Sequence, residues 1–215
     1  MAGAGSLFRW NAARLCLQLA GGETGTVVGD LQPDGRVVLE VSNLHRRCRA
    51  ATVALIYAEI SGYGMTSDAG HITRPDVDGI TKTIQNALRY ADISPNDVDY
   101  INAHGTGTQA NDIAETEAIK RVFGEHAKQL AVSSTKSMHG HALGASSALE
   151  LVATTLAMHH GVIPPTANFT TADEKCDLDY VPNTSREKDI KIAMSNSFAF
   201  GGLNAVITIK QYNHQ

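Results

Sequence analysis

Apolar positions keep no steady period until about residue 53; from there they alternate between strand-like runs and helical stripes. Val53–Ser61 is an apolar run closed by Gly62-Tyr63-Gly64, and it predicts a buried strand. Thr66–Pro75 reads as a loop. Pro75–Ala91 places Val77, Ile80, Ile84, Ala87, Leu88 and Ala91 at helical spacing behind a Pro and an Asp, so it predicts an amphipathic helix. Ser94-Pro95-Asn96-Asp97 is a turn. A strand is expected at Val98–Ala103, a helix at Asn111–Phe123 and a strand at Leu130–Ser133. Short strands are expected at Asp177–Val181, Lys191–Ser195 and Asn204–Lys210. Strands alternating with helices imply an α/β fold of parallel strands joined by right-handed crossovers.

One further helix, Ala142–His160, is apolar nearly all round (Leu143, Ala148, Leu149, Leu151, Val152, Leu156, Met158), which implies burial. Upstream of residue 53 the signals are weaker. Trp10, Ala13, Leu17 and Ala20 have helical spacing, ended by Gly21-Gly22, and Gly29–Gly35 is turn-like. Arg36–Val41 reads as a strand, and His45-Arg46-Arg47-Cys48-Arg49 as a solvated basic helix face. Residues 1–52 are therefore treated as a poorly patterned extension and 53–215 as the domain.

Composition narrows the function classes. A net charge of −4 without a basic block carries no nucleic-acid footprint. The apolar runs are too short and interrupted to span a membrane. Three scattered Cys (Cys16, Cys48, Cys176) and nine His, with no Cys-x-x-Cys or His-Glu-x-x-His, give no metal signature. Sparse, odd-numbered Cys favours a reducing compartment such as the cytoplasm. Residues 1–22 lack acids and hold Arg9 and Arg14, so a mitochondrial or plastid presequence is the alternative, beside a truncated start.

Candidate chemistry gathers around two histidines. Ser133–Ala145 is a polar loop holding Lys136, His139 and His141 before the apolar helix. A His at a helix amino end is discouraged from taking a proton and suits donation as a neutral imidazole. The bland alternative is a solvated helix terminus. Asn102-Ala103-His104-Gly105-Thr106-Gly107-Thr108 follows a strand and precedes a helix, where ligands collect in α/β sheets. A third stretch, Ser195–Ala205, is a Gly-rich loop between strands with Phe198 and Phe200 beside its amides.

Tyr100–Thr108, Thr135–Ala145 and Asn196–Asn204 together resemble the carboxyl-half motifs of β-ketoacyl-[acyl carrier protein] synthases. Ile56–Gly64, Asp68–Thr73, Gly161–Asn168 and Cys176–Asn183 fit between them. The Phe-Ala-Phe-Gly-Gly-Leu-Asn-Ala ending is similar to the nodulation branch of that family. The resemblance implies a thiolase-like fold, of which 53–215 supplies the carboxyl-terminal half of a duplicated αβαβα five-layer architecture. It implies decarboxylation of a malonyl-carrier thioester and attack of the resulting carbanion on an acyl thioester. By motif, His104 and His141 match the catalytic His pair, Lys136 the supporting Lys, and Thr106 and Thr108 the hydroxyls on the phosphopantetheine arm. Phe200 matches the gating Phe, whose N–H helps form the oxyanion hole, and Glu150 a buried structural Glu. His139 is read as solvated or behind the pair, and Asp112 and Glu115 as first-turn helix charges. The implied substrate rides on the phosphopantetheine of an acyl carrier protein, with no cofactor held by the chain. The implied partners are that carrier and a second copy or another synthase chain.

The family's nucleophilic Cys lies in its amino half, and no Cys here matches it. Cys16 has no fitting context, Cys48 lies outside any motif, and the acids around Cys176 should raise its pKa. Two readings stay open: a condensing enzyme represented by part of its chain, or a non-catalytic companion that binds a carrier protein or another synthase chain. Either way, the outer apolar face of the Ala142–His160 helix is expected to lie exposed.

Overall fold

The computed structural model describes the backbone at residues 15–18, 24–31 and 37–43 and the whole of residues 56–212. In chain order the strands are β1 (Leu15–Gln18), β2 (Thr24–Leu31), β3 (Val37–Asn43), β4 (Ile56–Ser67), β5 (Tyr100–Asn102), β6 (Ala131–Ser133), β7 (Val162–Ile163), β8 (Arg186–Glu187), β9 (Ile192–Ala199) and β10 (Leu203–Gln211). The helices are α1 (Val77–Ala91), α2 (Gln109–Phe123), the single turn α3 (Lys136–His139) and α4 (Ser146–His160). One sheet runs β1-β2-β3-β4-β10-β9-β5-β6; β7 and β8 form a separate ribbon.

The strand–helix alternation is as expected, but the sheet is mixed. Only β6-β5-β9 is parallel; β9, β10, β4 and β3 pair antiparallel in sequence. The β9–β10 connection is a tight hairpin through Gly201 and Gly202, both at positive φ, and a hairpin can join only antiparallel strands.

Several expectations from sequence are corrected. The Gly62-Tyr63-Gly64 stretch does not close β4; the strand continues through it to Ser67. These glycines mark a close approach instead. A Cβ on Gly62 would lie 2.7 Å from the Ala87 carbonyl oxygen, and one on Gly64 2.0 Å from that of Thr83, so α1 rests directly on the β4 backbone. The helix at Trp10–Ala20 gives way to β1 at Leu15–Gln18, where Leu15 and Leu17 also satisfy strand spacing and β2 supplies an antiparallel partner. Gly29 lies within β2 rather than a turn. The remainder of that helix, Gln32–Gly35 of the turn, and the His45–Arg49 cluster fall outside the described residues. Asp177–Val181 forms no ladder, only a bridge at Asp179, whose carboxylate accepts the Val181 N–H at 3.2 Å. Finally, α4 starts at Ser146, after a short 3-10 turn at Leu143–Ala145, because Leu143 takes a left-handed φ of 50°.

Strand alternation divides the interior into two layers. On one side Ile101, Val132, Met194, Phe198 and Val206 pack against Ile80, Ile84 and Leu88 of α1 and Ala118, Ile119 and Phe123 of α2. On the other, Ala58, Tyr100, Ala193 and Ile209 meet Ala157 and Met158 of α4. The outward side of α4 is not enclosed: Leu149, Val152 and Leu156 are half-buried.

Candidate active site

The carboxyl ends of the adjacent parallel strands β5 and β6 open on the same side of the sheet, and the chain leaves each of them directly into a histidine- or lysine-bearing loop. Two residues past β5, His104 is fixed by its backbone. Glu115 of α2 accepts the His104 N–H through Oε1 and the Gly105 N–H through Oε2, both at 2.9 Å. Asn196 of β9 donates to Oε1 at 3.0 Å, and Asn111 to Oε2 at 3.3 Å. A carboxylate with four donors is a strong anchor. Glu115 is thus a buried hub rather than a charge that caps the first turn of α2. Its phase on α2, shared with Ala118, Ile119 and Asn111, was the signal that sequence reading passed over. Burial still raises its pKa, against the donors and Lys136. Gly105 takes a φ of 39°, and a Cβ there would sit 2.5 Å from that of Ser134, whose hydroxyl donates to the Gly105 carbonyl at 2.7 Å.

Lys136, the first residue of α3, is buried. Its ammonium donates to the His104 carbonyl at 2.6 Å and forms an ion pair with Glu150 of α4. Burial lifts the Glu150 carboxyl to about 7, with Lys136 pulling it back. Glu150 is itself fully buried in the first half of α4. A second buried group, Asn102, ties the strand end to α4. Its amide donates to the Thr135 hydroxyl, the Glu150 carbonyl and the Thr154 hydroxyl at 3.1, 3.2 and 3.1 Å.

The two imidazoles meet at right angles with ring centroids 5.7 Å apart. The His104 ring is buried against Phe198 at 5.4 Å, and its Nδ1 has no partner among the described residues. Burial, then Lys136, then His141 hold its pKa down to about 3, so it is neutral at physiological pH. His141 is exposed. Its Nδ1 faces the Leu143 N–H at 3.1 Å; a main-chain N–H can only donate, so the proton of the neutral ring is assigned to Nε2. His139 is exposed and contacts the Thr135 hydroxyl at 3.1 Å, in keeping with a place behind the pair.

Lys136, His141, Ser134 and Thr106 line a cleft of about 690 Å³ that runs on to Cys176 and Tyr180. Thr106 shares a hydroxyl contact of 2.8 Å with the exposed Thr108. Phe200 is 76 % exposed at the hairpin tip, while Phe198, two residues earlier, is the ring that touches His104. The hairpin is tied to the loop after β4 by Asp68 N–H to the Gly202 carbonyl at 2.9 Å and by Gly201 N–H to the Ile72 carbonyl at 2.8 Å. The Cys176 thiol is raised as expected, but burial is the main cause, followed by Asp173 and Asp112 rather than Glu174 and Asp177. The other two cysteine side chains lie outside the described residues. Among the described residues no group of His, Cys, Asp and Glu has the arrangement of a metal site.

Two imidazoles side by side, with the His104 ring held neutral and a buried ammonium close behind it, can donate to an oxygen on which negative charge develops. Residues 57–170 match the model of the β-ketoacyl synthase carboxyl-terminal domain. Nodulation protein E of Rhizobium meliloti is 49 % identical over 207 residues, covering 94 % of this chain and 50 % of that protein. The 3-oxoacyl-[acyl-carrier-protein] synthase 2 of Coxiella burnetii is 51 % identical over 193 residues, covering 88 % of this chain and 45 % of that one. A ketosynthase solved in complex with its type II polyketide acyl-carrier protein superposes with a TM-score of 0.72 at 44 % identity, covering 74 % of this chain and 40 % of the other. The chain spans about half the length of the curated relatives it matches.

Proposed function

The chain belongs to the β-ketoacyl synthase family through its carboxyl-terminal domain, and on that premise we propose that it carries the decarboxylation half of a condensing site. In this reading a malonyl thioester, brought on the phosphopantetheine arm of an acyl carrier protein, lies along Thr106 and Thr108 with its carbonyl oxygen between the two imidazoles. The bond from the α-carbon to the carboxylate breaks and carbon dioxide leaves. The electron pair passes into the enolate, whose oxygen receives hydrogen bonds from His104 and His141. Burial, with Lys136 second, keeps the His104 ring neutral; Lys136 also holds the His104 backbone, Glu150 holds Lys136, and the Phe200 N–H faces the acyl thioester. In condensation, the α-carbon then attacks the acyl thioester carbonyl, a carbon–carbon bond forms and a thiolate departs. That acyl group needs a nucleophilic thiol, and Cys176, pushed up by burial, does not offer one.

The reading rests on the perpendicular imidazole pair 5.7 Å apart with His104 held neutral. The purified chain is expected to release carbon dioxide from malonyl-carrier without forming a new carbon–carbon bond, the enolate α-carbon taking a proton from water to leave acetyl-carrier. His104→Ala and His141→Ala should each slow release about 100-fold, the usual loss for one oxyanion donor. Unchanged rates in both variants, or no release by the unaltered chain, would refute it. A second reading, a companion that binds a carrier protein or another synthase chain without catalysis, draws on the half-buried apolar side of α4. Carrier binding without carbon dioxide release would favour it. The bacterial relatives and the free thiol of Cys176 support a cytoplasmic place for the reaction. Among the described residues, no helix is long and apolar enough to cross a membrane.

A further inference from the structure

We infer that Ser137 is a positioning residue that holds the turn delivering Lys136 to the His104 carbonyl. That turn, α3, has four residues, and its cap residue Thr135 makes no side-chain cap bond. A single helical turn is unfavourable by itself, because several residues are fixed for one hydrogen bond. Yet its first residue must bring an ammonium to both the His104 carbonyl and Glu150. Asn102 anchors the turn from β5 through the Thr135 hydroxyl. The second anchor is Ser137.

The Ser137 hydroxyl makes two bonds whose directions are fixed by their partners. The Ser134 carbonyl can only accept, so the hydroxyl donates to it at 2.7 Å. The Ala167 N–H can only donate, so the same oxygen accepts from it at 2.8 Å. One residue earlier in the chain after β7, Thr166 Oγ1 accepts the Ser134 N–H at 3.2 Å. Thr166 and Ala167 therefore grip the turn at two points, one before Lys136 and one after it. They are tied down in their own right: the Thr166 N–H donates to the Val181 carbonyl and the Asn183 N–H to the Thr166 carbonyl, both at 2.9 Å. Pro164-Pro165 precedes them and stiffens the approach by fixing φ. Ser134 also donates through its hydroxyl to the Gly105 carbonyl at 2.7 Å, so the same brace steadies the loop that carries His104. Ser137, Thr166 and Ala167 border the cleft beside Lys136 and His141. The one Ser137 proton is already committed to Ser134, so the hydroxyl holds the turn rather than a substrate.

The test reads the ammonium directly. In the full chain labelled with 15N at lysine, Lys136 should give an ammonium signal in slow exchange with water, assigned by its loss in Lys136→Met. Ser137→Ala should speed that exchange about fivefold, the equivalent of one net hydrogen bond. Ser137→Thr keeps an oxygen able to reach the carbonyl three residues back and should restore the slow rate. Thr166→Val removes the other grip at equal volume and should act in the same direction, so it decides the matter should Ser137→Ala fail to fold. An unmoved rate in folded Ser137→Ala, or in Thr166→Val where the first does not fold, would overturn the inference. So would a fast-exchanging Lys136 in the unaltered chain. A further outcome rests on the proposed function: decarboxylation of malonyl-carrier should lose kcat about fivefold in Ser137→Ala while KM stays put. An unaltered kcat beside the faster exchange would overturn the link from Lys136 to His104. Exchange that follows Ser137 in a chain releasing no carbon dioxide would leave the positioning role standing and sink the functional reading.

Discussion

Burial of the His104 ring ties the stability of the domain to pH in a way that can be isolated. The unfolded chain exposes that imidazole, which takes a proton near its ordinary value of about 6.5, whereas the folded ring stays neutral down to about 3. A depressed folded pKa contributes stability that is whole above the unfolded value and is lost as pH falls toward the folded one. Each pH unit below about 6.5 therefore costs about 1.4 kcal/mol, or about 2 kcal/mol between pH 7 and pH 5. Glu150 and Glu115 act in the opposite sense. Their folded pKa values are raised by burial, so their contribution is largest at low pH and declines as pH rises. The perturbation must therefore be a difference between proteins. Urea unfolding at pH 7, 6 and 5, in the unaltered chain and in His104→Gln, cancels the carboxyl contributions to first order. The gap between the two stabilities should move by about 2 kcal/mol in favour of the Gln variant on going to pH 5. A gap that stays constant across the range would show that the ring titrates in the fold as it does in water, and the neutral-donor argument would go with it.

Two other outcomes follow from the packing. Gly64→Ala places a methyl 2.0 Å from the Thr83 carbonyl oxygen, so α1 must move off β4; a loss of about 3 kcal/mol or more in urea unfolding is expected, since backbone cannot yield as a flexible side chain does. Lys136→Met leaves the Glu150 carboxyl, already lifted to about 7 by burial, without its cation, so it takes a proton at neutral pH; a loss of about 1–3 kcal/mol in urea unfolding is expected, the cost of a buried group left without its partner, and no loss would show that the pair does not hold α4 to α3.

The elements carrying a clear period could be read from sequence: α1, α2, β9 and β10 lie within a few residues of where their apolar spacing puts them. The histidine loops were legible too, because Gly and Thr follow a strand in a pattern that a parallel sheet gives a use. What escaped was whatever depended on a distant partner. Gly62 and Gly64 look like punctuation until the α1 backbone lies against them. Glu115 looks like a helix-start charge until two backbone amides and two asparagines reach it. The helix start at Ser146 was hidden because a left-handed Leu143 is not written in local propensity. Phe198 and Phe200 are chemically alike, and only the end of β9 at Ala199 keeps the first on His104 and leaves the second in the turn, open to solvent.

The short strand β5 carries opposite chemistries on its two sides. Tyr100 and Asn102 turn toward α4, where Tyr100 meets the Ser133 hydroxyl at 2.9 Å, while Ile101 and Ala103 turn into the aliphatic layer under α2. Sliding this strand by a single residue would thrust the Asn102 amide among Ile119 and Val132 and leave Thr135 and Thr154 facing a hydrocarbon. No neighbouring alignment is tolerable, so the three-residue strand fixes its own frame, and the imidazole that follows it is delivered to one location or not at all.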